Sequence, residues 1–301
     1  MAKRRPSTHR IERVAPDSSS AATTAGTLYV VATPIGNLQD LSERARQVLA
    51  AASLVAAEDT RHSRQLLEAH GIETRLVSVH EHNENERVPE ILAALRGGAN
   101  VALVSDAGTP LVSDPGLRIV RAAIDAGIEV RAVPGPCAAI AALSISGLAT
   151  ERFGFEGFLP QKPAARREQL KALASDARTL IFYEAPHRVV ECLADLSAIL
   201  GAERPAVVAR ELTKVFETVY RGSLAELARR AEGDADMQRG EIVIIVEGRA
   251  GVSDDAERAE LERVLTVLVA ELPVSQAASL AAKLTGASRN LAYQLALALT
   301  R

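Results

Sequence analysis

The feature that most constrains this chain is a loop of twelve residues that reads Ser-Asp-Ala-Gly-Thr-Pro-Leu-Val-Ser-Asp-Pro-Gly, from Ser105 to Gly116. It follows the apolar run 101–104, which predicts a buried parallel strand, and it precedes a segment with helical periodicity that starts at Leu117. The loop is therefore expected at the carboxyl end of a strand, where open α/β sheets bind ligands. A pair of tight turns, with Asp114 capping the next helix, is the simpler interpretation.

Strand and helix patterns alternate from Leu28 onwards, which predicts a doubly wound parallel sheet. The expected strands are 28–32, 53–57, 75–79, 101–104 and 129–133. Ser42 is expected to cap the first helix, and Gly71 fits the end of the second.

Residues 150–162 are rich in Phe and Gly and mark the expected junction to a second, mixed α/β domain. Its expected strands are 178–183, 205–209, 217–220 and 240–246, the last closing the sheet. Helices are expected to fill residues 254–301, with a break at 285–287 and with Ser288 as a cap. The predicted organisation is a disordered tail 1–26, an N-terminal α/β domain 27–149, a C-terminal mixed α/β domain 150–250 and a helical extension 254–301.

Composition excludes several function classes. The net charge of -3 gives no strong electrostatic argument for a membrane surface or for nucleic acid, and no DNA partner is expected. No apolar run approaches the length of a membrane span, and the N-terminus lacks the apolar core of a signal peptide. Two cysteines supply neither a disulfide framework nor a metal pattern. A cytoplasmic location without membrane attachment is therefore expected.

Polar loops follow all five strands of the first sheet, and they should meet at one edge of it. These loops contain 34–36, 58–61, 80–82, 106–109 and 135–137. The glycine fingerprints of dinucleotide and phosphate loops are absent, so a cofactor without phosphate, such as S-adenosylmethionine, suits this edge. His80 and His82 have no third ligand of matched spacing, and no metal is predicted.

Eight short motifs carry a family resemblance when they are taken together and in order. They are Val-Ala-Thr-Pro-Ile-Gly-Asn-Leu at 31–38, Ala-Glu-Asp-Thr-Arg at 57–61, Ser-Asp-Ala-Gly-Thr-Pro-Leu at 105–111, Val-Pro-Gly-Pro-Cys-Ala at 133–138, Phe-Leu-Pro at 158–160, Tyr-Glu at 183–184, His-Arg at 187–188 and Ala-Arg-Glu-Leu-Thr at 209–213. The chain from Leu28 to its end resembles the small-subunit ribosomal RNA ribose methyltransferases of the tetrapyrrole-methylase superfamily.

The resemblance implies two α/β domains of tetrapyrrole-methylase type with S-adenosylmethionine in the cleft between them, followed by a small helix-turn-helix-like extension. It also implies a homodimer and 2′-O-methylation of a cytidine in the decoding region of small-subunit (16S) RNA. The cofactor residues that it implies are Pro34, Gly36, Asp106, Thr109, Cys137, Ala138, Tyr183, Arg210 and Glu241. The extension is less basic than the family pattern, with Arg289 as the single arginine of its 285–290 turn.

A ribose hydroxyl is a poor nucleophile until a base removes its proton. The residues leave the choice of base open among Glu58, Asp59, His80, Glu81, His82 and Glu184. For Glu58 and Asp59, a cap on the following helix is the simpler interpretation.

The candidates for contacts to RNA are Arg61, Arg188, Arg210 and Arg289, each of which could instead form a structural ion pair. Tyr183, Phe155 and Phe158 are candidates for stacking on a base. Two other functions are kept as alternatives. One is C-methylation of a tetrapyrrole precursor, and the other is a non-catalytic RNA-binding assembly factor.

Overall fold

The computed structural model describes residues 25–80, 82–249 and 254–300, and the chain divides into two compact units. The first unit comprises the described part of Met1–Ala32 together with Ser42–Asp106 and Asp114–Pro134. The second unit comprises Thr33–Leu41, Ala107–Ser113 and the described part of Gly135–Arg301. Most of the predicted tail, residues 1–24, lies outside the described residues, and the predicted domain bounds stay predictions.

The first unit is the predicted parallel sheet with its connecting helices. Its elements are β1 (Leu28–Val31), α1 (Glu43–Ala51), β2 (Leu54–Ala57), α2 (Thr60–Ala69), β3 (Leu76–Ser78), α3 (Glu84–Arg96), β4 (Val101–Val104), α4 (Leu117–Asp125) and β5 (Val130–Val133). The strand order is β3-β2-β4-β1-β5, and every pairing is parallel. The central strand β4 and its neighbour β2 are apolar at every position and buried along their whole length, as expected for interior strands of a parallel sheet.

Local signals set the helix boundaries of this unit. The Ser42 hydroxyl accepts the Ala45 N–H at 3.0 Å and starts α1, as predicted. Gly71, with φ 66°, follows the end of α2 in the left-handed conformation that favours glycine. Gly116 stands at the start of α4 and supplies no side-chain cap. The Glu84 carboxylate caps this helix instead, since its Oε1 accepts the N–H groups of Arg118 and Ile119 at 2.7 and 3.2 Å. The expectation that Asp114 caps α4 is therefore wrong.

The second unit carries a mixed sheet. Its elements are α5 (Ala138–Ser146), β6 (Phe153–Phe158), α6 (Pro163–Leu173), β7 (Thr179–Glu184), α7 (Val189–Leu200), β8 (Pro205–Arg210), β9 (Thr218–Ser223), α8 (Leu224–Gly233) and β10 (Ile242–Val246). The strand order is β6-β7-β10-β8-β9, with β6 and β7 parallel and the other pairs antiparallel. The predicted junction at 150–162 therefore contains a strand, β6, which the clustered glycines concealed. The last strand, β10, lies at the centre of the sheet.

Both faces of this second sheet are covered, which explains why β10 is buried at all five positions. Ile181, Val243 and Ile245 pack with α5 on one face. Phe182 and Ile244 pack with α7 and α8 on the other. Alternate residues of each central strand thus enter different cores, as the period of two in a strand requires.

Three helices end the chain, as predicted: α9 (Asp254–Glu271), α10 (Val274–Thr285) and α11 (Arg289–Leu299). Gly286, with φ 76°, ends α10, and the Ser288 hydroxyl accepts the Leu291 N–H at 3.2 Å and starts α11. Their shared core is built from small and aliphatic side chains, among them Leu265 and Ala281. Among the described residues, no helix combines the length and apolar character that crossing a membrane requires.

Candidate functional site

Carboxylates meet at the carboxyl ends of β2 and β4 in the first unit. The Asp59 N–H donates to Asp106 Oδ1 at 2.9 Å, and the Asp106 N–H donates to the Glu58 carboxylate. The Ser105 hydroxyl donates to the Asp114 carboxylate. These hydrogen bonds tie the two strand ends together, as expected for neighbouring parallel strands whose loops share one edge.

Two carboxylates of this group are poorer acids than usual. Burial raises the pKa of Glu58, and the charges of Asp106 and Asp114 raise it further. Burial likewise raises the pKa of Asp114, and the neighbouring Asp106 adds to that effect. Because a raised pKa makes the conjugate carboxylate a better base, Glu58 is suited to remove a proton.

Asp59 follows the simpler interpretation. Its Oδ1 accepts the Arg61 N–H at 2.8 Å, which caps α2, and its Oδ2 lies 2.7 Å from Arg61 Nη2. These hydrogen bonds from Arg61 hold the pKa of Asp59 far below its usual range, so it is a weak base. Arg61 is thus the partner of Asp59, although its side chain is 89% exposed.

The histidine loop follows β3. The rings of His80 and His82 lie edge to face, with their centroids 6.1 Å apart. The His80 N–H donates to Asn83 Oδ1 at 2.8 Å, and Asn83 Nδ2 donates back to the Ser78 carbonyl at 3.2 Å. The candidate Glu81 lies outside the described residues. Within the described part of the chain, no group of three or more His, Cys, Asp or Glu side chains could hold a metal ion.

Three loops come together in the second unit. Thr33 and Gly108 exchange backbone hydrogen bonds at 2.8 and 3.1 Å, and the Thr109 hydroxyl donates to the Pro136 carbonyl at 2.9 Å. Gly108 has φ 87°, and a Cβ built there would lie 3.3 Å from a methyl carbon of Ile35. The sequence motifs at 33–36, 107–109 and 135–138 therefore form one cradle lined by backbone.

The start of α5 closes this cradle. Cys137 precedes the helix without a side-chain cap, and the Ala139 N–H donates to the Tyr183 hydroxyl at 3.2 Å. The Tyr183 ring packs edge to face with Phe155 and Phe158, at centroid distances of 4.9 and 5.6 Å. The predicted stacking residues are thus a cluster at the ends of β6 and β7.

Two predicted RNA contacts have internal partners instead. Arg188 donates from Nη2 to the carbonyls of Leu159 and Pro160, at 2.8 and 3.1 Å. Arg210 is buried, and it donates to the carbonyls of Arg239 and Phe216 at 2.8 and 3.1 Å. Both arginines hold loops of the second unit, which favours the structural interpretation over a grip on phosphate.

The three remaining candidate residues differ in the solvent exposure of their side chains. Glu184 is buried, its Oε1 accepts the Ala185 N–H at 2.8 Å, and it pairs with Arg188 at 3.3 Å. Because none of the Glu184 side chain is exposed, a substrate hydroxyl cannot reach it, which argues against a role as general base. Glu241 has an exposed side chain, and Arg289 is exposed at the start of α11.

Lys214 is a further residue of this region that no sequence motif singled out. Its Nζ lies 2.8 Å from Glu211 Oε1 and 3.3 Å from Glu241 Oε2. A Cβ built on Gly36 would lie only 2.4 Å from Lys214 Cγ, so this side chain covers the first loop. The motif at 209–213 ends at the residue before Lys214 and therefore does not include it.

Comparison with known families gives two matches along the chain. Residues 27–228 match the model of the tetrapyrrole (corrin/porphyrin) methylases. Residues 255–300 match the RsmI C-terminal HTH domain.

Curated relatives match almost the whole chain. The protein called Ribosomal RNA small subunit methyltransferase I from Pseudomonas aeruginosa is 56% identical over 274 residues, which are 91% of this chain and 97% of the relative. The protein of the same name from Escherichia coli O157:H7 is 50% identical over 278 residues, which are 92% of this chain and 97% of the relative.

Solved structures with a similar fold have other names. Uroporphyrin-III-C-methyltransferase from Thermus thermophilus is 25% identical with a TM-score of 0.53, over 77% of this chain and 98% of its own. The methyltransferase CobJ is 20% identical with a TM-score of 0.57, over 75% and 95%. A Thermus thermophilus structure complexed with S-adenyl homocysteine is 21% identical with a TM-score of 0.53, over 74% and 97%, and it shares the fold.

Proposed function

The chain belongs to the tetrapyrrole methylase family and is a methyltransferase, and we propose that it transfers a methyl group from S-adenosylmethionine to small-subunit ribosomal RNA. The position that we propose is the ribose 2′-hydroxyl of a cytidine in the decoding region. We also propose that the protein acts as a homodimer in the cytoplasm and that its substrate is the small ribosomal subunit.

One observation carries the choice of substrate. Identity of 56% extends over 97% of a relative named for ribosomal RNA, and it includes the helical extension. Against the tetrapyrrole alternative, the solved porphyrin methylase reaches only 25% identity and covers 77% of this chain. Against a non-catalytic assembly factor, the motif residues expected to hold the cofactor are all present, and Thr33 and Gly108 join two of these loops through backbone hydrogen bonds.

The backbone cradle of the second unit fits S-adenosylmethionine. Gly108 has φ 87° and no side chain, so a ligand can approach its backbone closely. First-turn N–H groups at the start of α5 suit the carboxylate tail of an amino acid. We assign cofactor binding to Pro34, Gly36, Asp106, Thr109, Cys137, Ala138 and Tyr183, with Arg210 and Glu241 supporting them from neighbouring loops.

When bound, S-adenosylmethionine supplies a methyl group that is already activated for displacement, so this chain has two tasks. One is to position the hydroxyl, for which restraint in the correct geometry supplies much of the rate. The other is to remove its proton, and we assign that step to Glu58. Its raised pKa favours proton uptake, whereas Asp59 is paired with Arg61 and Glu184 is buried. A positioned base contributes about 10²- to 10⁴-fold.

The test offers labelled S-adenosylmethionine with small ribosomal subunits, with protein-free RNA and with a tetrapyrrole precursor. We expect label on ribose of the subunit RNA. Label on the macrocycle would support the porphyrin-type alternative, and label on none of the three would support the assembly factor. Asp106→Ala is expected to abolish cofactor binding in calorimetry, and normal binding would contradict the assignment of this loop.

A further inference from the structure

The loop that joins β8 and β9, residues 211–217, presents two apolar side chains to solvent. Val215 is 94% exposed and Phe216 is 69% exposed, the largest fractions among the large apolar side chains of the described residues. Loop tips ordinarily carry small or polar residues. Together, the exposed Val215 and the exposed Phe216 ring form a small apolar surface that is available to a partner.

The backbone of this loop is strained rather than relaxed. Glu211 has φ 53° and Thr213 has φ 67°, a left-handed conformation that a β-branched residue rarely adopts. The Thr213 N–H donates to Glu217 Oε2 at 2.6 Å, and the Lys214 N–H donates to the Glu211 carbonyl at 3.0 Å. Strain of this kind persists only where the surroundings enforce it, and it concentrates at functional sites.

Two anchors hold the tip in place. Arg210 Nη1 donates to the Phe216 carbonyl at 3.1 Å, which holds the backbone of the residue that carries the exposed ring. A Cβ built on Gly240 would lie 2.4 Å from the Glu211 carboxyl carbon. The Glu211 side chain therefore packs against position 240, where any residue larger than glycine would clash with it. The ring is therefore displayed by a rigid loop, and little conformational entropy remains to be lost when it binds.

The loop also contacts the segment to which we assign cofactor binding. Lys214 packs on Gly36, where a Cβ would lie 2.4 Å from Lys214 Cγ. Phe216 is only two residues further along the chain. The loop that carries Phe216 therefore adjoins the segment to which we assign cofactor binding.

We propose that Phe216, flanked by Val215, stacks on an unpaired base of the RNA substrate next to the target nucleotide; this inference rests on the proposed function. Proteins that recognise single-stranded RNA stack its bases on aromatic rings, and a target nucleotide must leave its own stack to be modified. A second copy of this chain is the other conceivable occupant. The tip is narrow and flanked by the charged Lys214 and Glu217, whereas a stable dimer buries a broad patch of at least about 1,000 Å².

The test compares Phe216→Ala with Phe216→Trp and with Phe153→Ala, since Phe153 is a 40% exposed phenylalanine on β6 that has no assigned role. Steady-state methylation of small subunits gives KM and kcat, calorimetry gives the Kd for S-adenosylmethionine, and sedimentation gives the oligomeric state. Phe216→Ala should raise KM for the subunit about 5- to 150-fold, the range for loss of one stacked base. Phe216→Trp should retain the wild-type KM, and cofactor Kd and oligomeric state should stay unchanged throughout.

Each contrary result has its own meaning. Wild-type protein that methylates no RNA overturns the proposed function, and with it this inference. Active wild-type protein with an unchanged KM in Phe216→Ala overturns the inference alone. Phe216→Ala that changes the oligomeric state assigns the tip to an interface between copies and also overturns it. Phe216→Leu, which keeps an apolar side chain without a π face, should behave like Phe216→Ala, and a wild-type KM there contradicts stacking.

Discussion

Glu58→Gln tests the assignment of the general base most sharply. Gln keeps the size of the side chain and an oxygen that can accept the Asp106 N–H, so the strand-end geometry should survive. What it loses is the ability to take up a proton. Loss of a positioned base slows the chemical step about 10²- to 10⁴-fold, which corresponds to about 3–5 kcal/mol of barrier.

The pH dependence gives a second signature of Glu58. Burial and the neighbouring carboxylates raise its pKa above the ordinary value of 4.5. The wild-type rate should therefore fall as the pH drops through that raised pKa, and Glu58→Gln should lack this limb. Single-turnover transfer from labelled S-adenosylmethionine, measured across the acidic and neutral range, provides the profile.

Stability should move in the opposite direction to activity. A carboxyl group whose pKa is higher in the folded state stabilises the fold below its unfolded pKa, and this contribution is lost as the pH rises through the folded pKa. At neutral pH, Glu58 is thus a destabilising charge, and Glu58→Gln should melt at or above the wild-type temperature.

Asp59→Asn is the matched control. Asn caps a helix as well as Asp does, and the pair with Arg61 is exposed and contributes little. This variant should lose less than about tenfold in rate. A Glu58→Gln enzyme that retains the wild-type rate, or an Asp59→Asn enzyme that is the slower of the two, would contradict the assignment of Glu58 as the base.

Three further predictions concern other parts of the chain. Arg188→Ala should cost about 3–5 kcal/mol in urea unfolding, because Glu184 is left buried without its cation; a loss of RNA affinity at unchanged stability would instead assign Arg188 to phosphate binding. Gly36→Ala should weaken S-adenosylmethionine binding about 5- to 150-fold in calorimetry, since its Cβ would clash with Lys214 and its φ is 152°. Adding Lys214→Ala should recover part of this loss, and an unchanged Kd in the single variant would remove Gly36 from the cofactor site. Ser288→Ala should lower the protection of α11 against hydrogen exchange by about 1 kcal/mol, with the second sheet unaffected, and equal protection would contradict the cap.

The parallel sheet could be predicted from sequence because its signals are local. Val101–Val104 is apolar at every position, and Ser42 stands where a cap must stand. These patterns report burial and helix starts directly. The same logic placed polar loops at one sheet edge, and hydrogen bonds between Asp59 and Asp106 and between Thr33 and Gly108 confirm that neighbouring loops meet.

The second sheet was harder to predict because its signals are not local. Strand β6 contains Gly154 and Gly157, which weaken a strand pattern, and a register irregularity follows Phe155. The central place of β10 depends on pairing with strands that lie far away in sequence. No sequence pattern announces that Glu211 and Thr213 adopt positive φ, since neither residue type favours it.

The hydrogen-bond partners of charged side chains in the site could not be predicted from the sequence either. From the sequence, Arg188 and Arg210 are candidates to bind phosphate. The structure shows that their guanidinium groups donate to backbone carbonyl oxygens instead. Asp59 and Glu58 are adjacent in sequence, but their pKa values shift in opposite directions. Arg61 pairs with Asp59 and lowers its pKa, whereas burial raises the pKa of Glu58.

The position of the transferred methyl group decides whether this protein is a cytidine 2′-O-methyltransferase. Small ribosomal subunits that lack the modification would be incubated with the protein and labelled S-adenosylmethionine, and their RNA would be digested to nucleosides and analysed by mass spectrometry. We expect label in 2′-O-methylcytidine, at one position in the decoding region. Label in a base-methylated nucleoside, or in the ribose of another nucleoside, would contradict it.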